Sequence, residues 1–204
     1  MNISFDVSDV TIREIKERFH LNDICPSDTA QKENIALSIK LLFFYCDMLH
    51  ADYPKDLEAL LCREVIILSY SIIDGLVACL GFLMQERCIT CKSRCAHYSI
   101  KMFSEDSVKK NERRAFEHAD KYLRSCSIIN LTSEARAFYS QYRDRRNNVH
   151  LSKNCEIITQ DSCFNREHCD RAVRFFTEFI DMLYENHNEF IMKNRCCDNK
   201  RRFL

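Results

Sequence analysis

Residues 56–87 carry an apolar run that no strand can hold: Leu60, Leu61, Val65, Ile66, Leu68, Ile72, Ile73, Leu76, Val77, Leu80 and Leu83 fall within it. Strands in globular proteins span roughly 3–10 residues, so a run this long reads as one long helix. Its apolar residues cover more than one face. Such a helix belongs at the centre of a bundle or at a dimer contact. Asp74 and Gly75 interrupt it. Asp74 has two readings, a buried polar group facing an active cleft or part of an exposed face.

A central helix needs others to cover it, and the rest of the chain supplies them. Only two glycines and two prolines occur in 204 residues, which disfavours turn-rich β architectures. A short helix is expected near 9–19, following Ser8, and another from Thr29 to His50 with Ile35, Ile39, Leu42, Phe43 and Cys46 on one side. Pro54 ends that segment. A helix at 104–125 turns Ala115, Tyr122 and Leu123 inward, with Lys109, Lys110, Arg113 and Arg114 outside. The helix at 132–151 follows. After a loop near 152–164 comes a last helix at 166–193, whose Cys169, Ala172, Val173, Phe176, Phe179, Ile180 and Leu183 form an i, i+3, i+4, i+7 stripe. The polar, basic tail from Lys193 to Leu204 is expected to fray. No internal repeat or long linker appears, so residues 1–204 read as a single all-α domain.

Thirty basic and thirty acidic residues cancel, which disfavours a general polyanion-binding surface but allows a local basic patch. There is no wholly apolar stretch of membrane-spanning length and no basic-then-apolar leader pattern, so the expected location is cytoplasmic. The thirteen cysteines fit a reduced compartment, and an odd number cannot all pair internally. Cys46, Cys62 and Cys79 lie in apolar runs, where a thiol packs as a small hydrophobe. His20, His50 and His187 are expected exposed at helix ends.

The stretch Tyr142-Arg143-Asp144-Arg145-Arg146-Asn147-Asn148-Val149-His150-Leu151 carries the chemistry. It joins guanidiniums, suited to phosphate, with the one side chain that titrates near neutral pH. The helix is expected to start at Thr132 or Ser133 as N-cap, with Glu134 in its first turn. Leu131, Ala135, Phe138, Tyr142 and Val149 make its core stripe. Arg143, Arg146 and His150 share another face, which this reading points away from the monomer core. Arg145 stands about 140° from His150 on an ideal helix and joins it only if the helix bends or ends there. An exposed, solvated helix end is the alternative reading of the same residues.

Arg-x(4–6)-His near a helix end, with a polar residue after the arginine, resembles the signature of HEPN domains. These all-α domains include many metal-independent RNases of toxin–antitoxin, abortive-infection and CRISPR-linked systems. Three registers compete. Arg145-x4-His150 fits the spacing but is followed by Arg146. Arg143-Asp144-x5-His150 fits spacing and polar neighbour at the long limit. Arg146-Asn147 matches the Arg-Asn pair, with three residues before His150. The resemblance spans residues 30–193, which would form the HEPN-like core. It implies an endoribonuclease, a toxin or antiviral-defence effector, and a homodimer with two motifs face to face. It also allows an antitoxin or defence-system partner. His150 would act as general base or acid, arginine would hold the scissile phosphate of RNA, and Asn147 would orient one or the other. The alternative is a non-catalytic HEPN-like module that binds RNA, a nucleotide or a protein.

The segment 88–97 is a second constellation: Cys88, Cys91, Cys95 and His97 place three thiols and an imidazole where the long helix must end. Cys-x2-Cys lets two thiolates reach one tetrahedral ion, and Cys3His is a structural zinc set. Cys126 or His118 is an alternative fourth ligand, and free surface thiols are the alternative to any metal. A closed four-ligand site would leave no position for water, so such a zinc would be structural. Cys163, His168 and Cys169 are a weaker metal set, since Cys169 belongs to the core stripe. No P-loop, GxGxxG or nucleophile elbow is present.

Overall fold

The computed structural model describes residues 9–25, 30–91, 112–148 and 164–193, with the side chains at 82, 85–91, 112–118 and 142–148 outside that description. Every regular element among them is helical: α1 (Ile12–Arg18), α2 (Leu21–Ile24), α3 (Ala30–Met48), α4 (Lys55–Cys91), α5 (Glu112–Ser125), α6 (Ser133–Asn148) and α7 (Arg166–Lys193). The all-α expectation holds, and the last helix has the bounds that its stripe implied.

Local chemistry sets the helix starts. The first helix begins three residues later than expected and is capped by Thr11. Thr11 Oγ1 accepts from the Glu14 amide at 3.2 Å while Glu14 Oε2 accepts from the Thr11 amide at 2.7 Å, a reciprocal capping box. Pro54 opens α4, its carbonyl accepting the Glu58 amide at 2.9 Å. Asn165 caps α7 by accepting the His168 amide at 3.0 Å. With both glycines inside α4, the helix stops use other residues. The α5 stop is a Schellman closure: Ile128 N donates to Leu123 O at 2.9 Å and Ser127 N to Arg124 O at 3.0 Å. Ser127 sits at φ 59° in the left-handed region that glycine usually fills.

The central position of α4 is confirmed, since it packs against α2, α3, α5, α6 and α7. Cys62, Val65, Tyr70, Ile73, Leu76, Val77, Cys79 and Leu80 are wholly enclosed. Each fully buried Leu, Ile or Phe side chain stabilises by about 1.5–3 kcal/mol relative to exposure. The Lys55–Gly81 part of α4 is long and apolar enough to cross a membrane by length and composition, a span the residue-by-residue reading did not find. Its most apolar window is 61% buried inside the bundle, as a core helix would be. At Gly81 the crossing with α5 is so close that an added Cβ would lie 2.6 Å from the Ala119 Cβ.

Two expectations are corrected by packing. His187 is buried within α7, not exposed at a helix end. His20 stands in the left-handed turn between α1 and α2, half-buried, its ring stacked on Tyr184 with centroids 3.7 Å apart. Leu60, within the apolar run, is exposed near the start of α4. His50 is exposed, as read.

Candidate functional site

The motif helix α6 begins at the predicted cap: Thr132 Oγ1 accepts the Ala135 amide at 3.2 Å, and Arg136 N reaches Thr132 O at 2.9 Å. Leu131 and Ala135 are half-buried and Phe138 is buried, as the stripe required. Tyr139 is buried as well, and it lay outside that stripe. Phe138 and Tyr139 enter an aromatic cluster with Tyr70 of α4 and Phe175 of α7; Tyr139 also stacks on Phe179 at 5.9 Å. Such ring pairs add about 0.5–1.5 kcal/mol beyond their burial.

Asp74 resolves to the first of its two readings in one respect: it is buried. The Tyr139 hydroxyl donates to Asp74 Oδ1 at 3.1 Å, tying α6 to the middle of α4. A buried carboxyl is costly without such a donor. Arg171 of α7 lies over the Phe138 ring at 4.2 Å and donates to Glu134 at 3.2 Å. These contacts pin the first half of α6 to both neighbours.

The backbone stays helical through Asn148, so positions 143 and 146 stand one and two turns beyond Tyr139 on its side of α6. At the level of Tyr139 that flank is covered. Positions 145 and 147 stand on other sides of the helix. His150 lies outside the described residues, and so do the side chains of Arg143, Arg145, Arg146 and Asn147.

Cys88 and Cys91 belong to the last turns of α4, which runs four residues further than expected, but their side chains are outside the description, and Cys95 and His97 lie beyond the described residues. Among the described residues no group of three His, Cys, Asp or Glu is placed to hold a metal ion. Of the weaker set, His168 Nδ1 pairs with Asn165 Oδ1 at 2.9 Å and Cys169 is buried in the core. Cys126, an alternative zinc ligand, is buried with its sulfur 4.0 Å from Ser125 Oγ.

Sequence reasoning missed the Tyr139–Asp74 link and the Arg171–Phe138 contact. One signal was available: a lone carboxylate in the apolar run of α4 requires a donor from another helix. No family model, curated protein or solved structure matches the chain.

Proposed function

We propose that this chain is a HEPN-type, metal-independent endoribonuclease acting as a homodimer in the cytoplasm. The observation that favours it is the firm seating of α6. A cap, an aromatic pair and the Tyr139–Asp74 bond hold its first half, and the helix then continues unbroken through the arginine-rich turn to Asn148. A catalytic group on a rigid helix keeps its geometry, which is what phosphate positioning needs. His150 moves the proton, either from the 2′-hydroxyl or to the leaving 5′-oxygen. Arginine neutralises charge developing on the phosphate. Arg146 and Arg143 share the Tyr139 flank with position 150 on a continuing helix, so helical geometry favours them over Arg145 as its partners. A second copy supplies the facing motif. A toxin or antiviral-defence setting, with an antitoxin or defence partner, accords with such an activity. Zinc at Cys88, Cys91, Cys95 and His97 would hold the chain after α4 and take no part in cleavage.

The test is incubation of purified full-length protein with total RNA in EDTA, beside His150→Ala. Cleavage by the parent and none by the variant, with unchanged circular dichroism, is the expected result. Arg143→Ala, Arg145→Ala and Arg146→Ala measured separately identify the register. Equal cleavage by His150→Ala and the parent removes the catalytic reading and leaves the HEPN-like binding module.

A further inference from the structure

The outer face of α3 is apolar where it meets water. Leu37, Leu41 and Phe44 are 53%, 43% and 50% exposed on it. On the inner face Ile35, Ile39, Leu42 and Phe43 are buried. The helix is therefore apolar on two sides, and the bundle uses one of them. The outer residues are regularly spaced. Ala30, Asn34, Leu37, Leu41, Phe44 and Met48 follow one another at steps of four, three, four, three and four. That is a heptad seam with Asn34, Leu41 and Met48 at a and Ala30, Leu37 and Phe44 at d, the narrow stripe on which one helix receives another. Charge is drawn away from it. Glu33 pairs with Lys16 of α1, and Lys40 Nζ donates to the Val10 carbonyl at 2.9 Å, just before α1. The other flank is Gln31, Ser38 and Tyr45. From Asn34 to Tyr45 the seam and that flank hold no charged residue.

Exposed apolar surface continues at the end of α3. The connection to α4 is short and the two helices pack together, so the first turns of α4 lie beside the last turns of α3. Leu57 and Leu60 are exposed there. With about 200 Å² for a large side chain, these five residues leave roughly 400 Å² of apolar surface in water. That is as large as the largest patch on a typical monomer, and such patches mark interaction sites. Interfaces are about 60% apolar, so this surface fits an interface of roughly 600–700 Å² per partner, the lower end of the standard size.

We propose that the outer face of α3 pairs with the same face of a second copy of this chain, the two α3 helices running parallel and in register about a two-fold axis. Parallel pairing sets each seam residue against its own counterpart. Leu37, Leu41 and Phe44 then meet their equals, and the two Asn34 amides can hydrogen-bond to each other, the register-fixing use of asparagine at an a position. An antiparallel pairing centred between Leu37 and Leu41 sets Asn34 against Phe44 and leaves its amide unmatched. A seam without charge also suits a copy of itself, because it makes no demand for an oppositely charged partner. An anionic lipid surface is a poorer occupant, since Asp52, Asp56 and Glu58 stand at this end of the hairpin. The contact is independent of the ribonuclease reading: α3 packs on α1 and α4, whereas the motif lies on α6. Where the motifs also face each other, two different two-fold contacts join the chains into a tetramer or an open array.

The experiment is analytical ultracentrifugation of the full-length protein over a wide concentration range, with circular dichroism of each variant. The parent is expected to reach the mass of two or four chains, and Leu41→Glu to halve it with unchanged helical signal. Leu41→Lys should do the same. An equal mixture of the two variants should recover the parent mass, because residue 41 then faces its opposite charge. Asn34→Leu should tighten association several-fold, since asparagine in a seam costs stability. Leu37→Glu repeats the test should Leu41→Glu lose helix. The proposal is overturned if the parent is monomeric throughout or if the glutamate variant keeps the parent mass. It is also overturned if the mixture fails to reassociate or if Asn34→Leu leaves association unchanged. A monomeric parent that floats with phosphatidylcholine vesicles, and ceases to in Leu41→Glu, overturns it in favour of a lipid contact.

Discussion

The two glycines of α4 should respond to alanine with opposite signs. Glycine inside a helix is worth about 0.5–1 kcal/mol less than alanine, so each substitution begins with that gain. At Gly75 the new Cβ would meet Ile35 Cδ1 and Cγ1, each at 3.5 Å, which is ordinary van der Waals contact. Gly75→Ala should therefore stabilise by about 0.5–1 kcal/mol. At Gly81 the new Cβ would lie 2.6 Å from the Ala119 Cβ and 3.2 Å from its Cα. Neither atom is the end of a flexible side chain, so α4 and α5 must separate. Overpacking of this kind costs about 1–3 kcal/mol, which offsets or exceeds the helical gain and leaves a net loss of up to about 2.5 kcal/mol. In a chain of this size that is a fall in Tm of up to about 10 °C, against a rise of a few degrees for Gly75→Ala. Urea unfolding followed by far-ultraviolet circular dichroism measures both. Adding Ala119→Gly to Gly81→Ala should recover part of the loss, a coupling absent between Ala119→Gly and Gly75→Ala. A Gly81→Ala protein at least as stable as Gly75→Ala would refute the close α4–α5 crossing.

Three further outcomes are expected. Ser127→Gly should stabilise by about 1 kcal/mol, because glycine occupies the left-handed Schellman position without the Cβ penalty, and a raised denaturation midpoint with unchanged slope checks it. Tyr139→Phe removes the hydroxyl that Asp74 accepts and should cost about 1–3 kcal/mol, while Asp74→Asn on the same background should relieve part of that cost in a double-mutant cycle. Protein purified without chelator should carry one zinc per chain by elemental analysis, and Cys88→Ser with Cys91→Ser should lose it; absence of zinc in the parent protein rejects the structural site.

The helices follow from the sequence because their causes are local. The i, i+3, i+4 stripe of Cys169 to Leu183 and the Asn165 cap mark α7 without reference to any other element. Thr132 marks the start of α6, and Pro54 the start of α4. The candidate site is legible in the same way as a motif at a helix end, with its arginines and histidine named by residue type and spacing. Tertiary structure decided which flanks are covered. Tyr139 is buried although it lies outside the apolar stripe of its helix, and Leu60 is exposed although it lies within the apolar run of α4. A stripe specifies an average direction, whereas the width of the covered face depends on where neighbouring helices cross and how closely they approach. The crossing of α4 with α6 gives Asp74 its tyrosine donor. The approach of α5 makes Gly81 necessary. His187 is enclosed because α7 is covered at that level of the bundle, a fact about neighbours that no spacing within one helix contains.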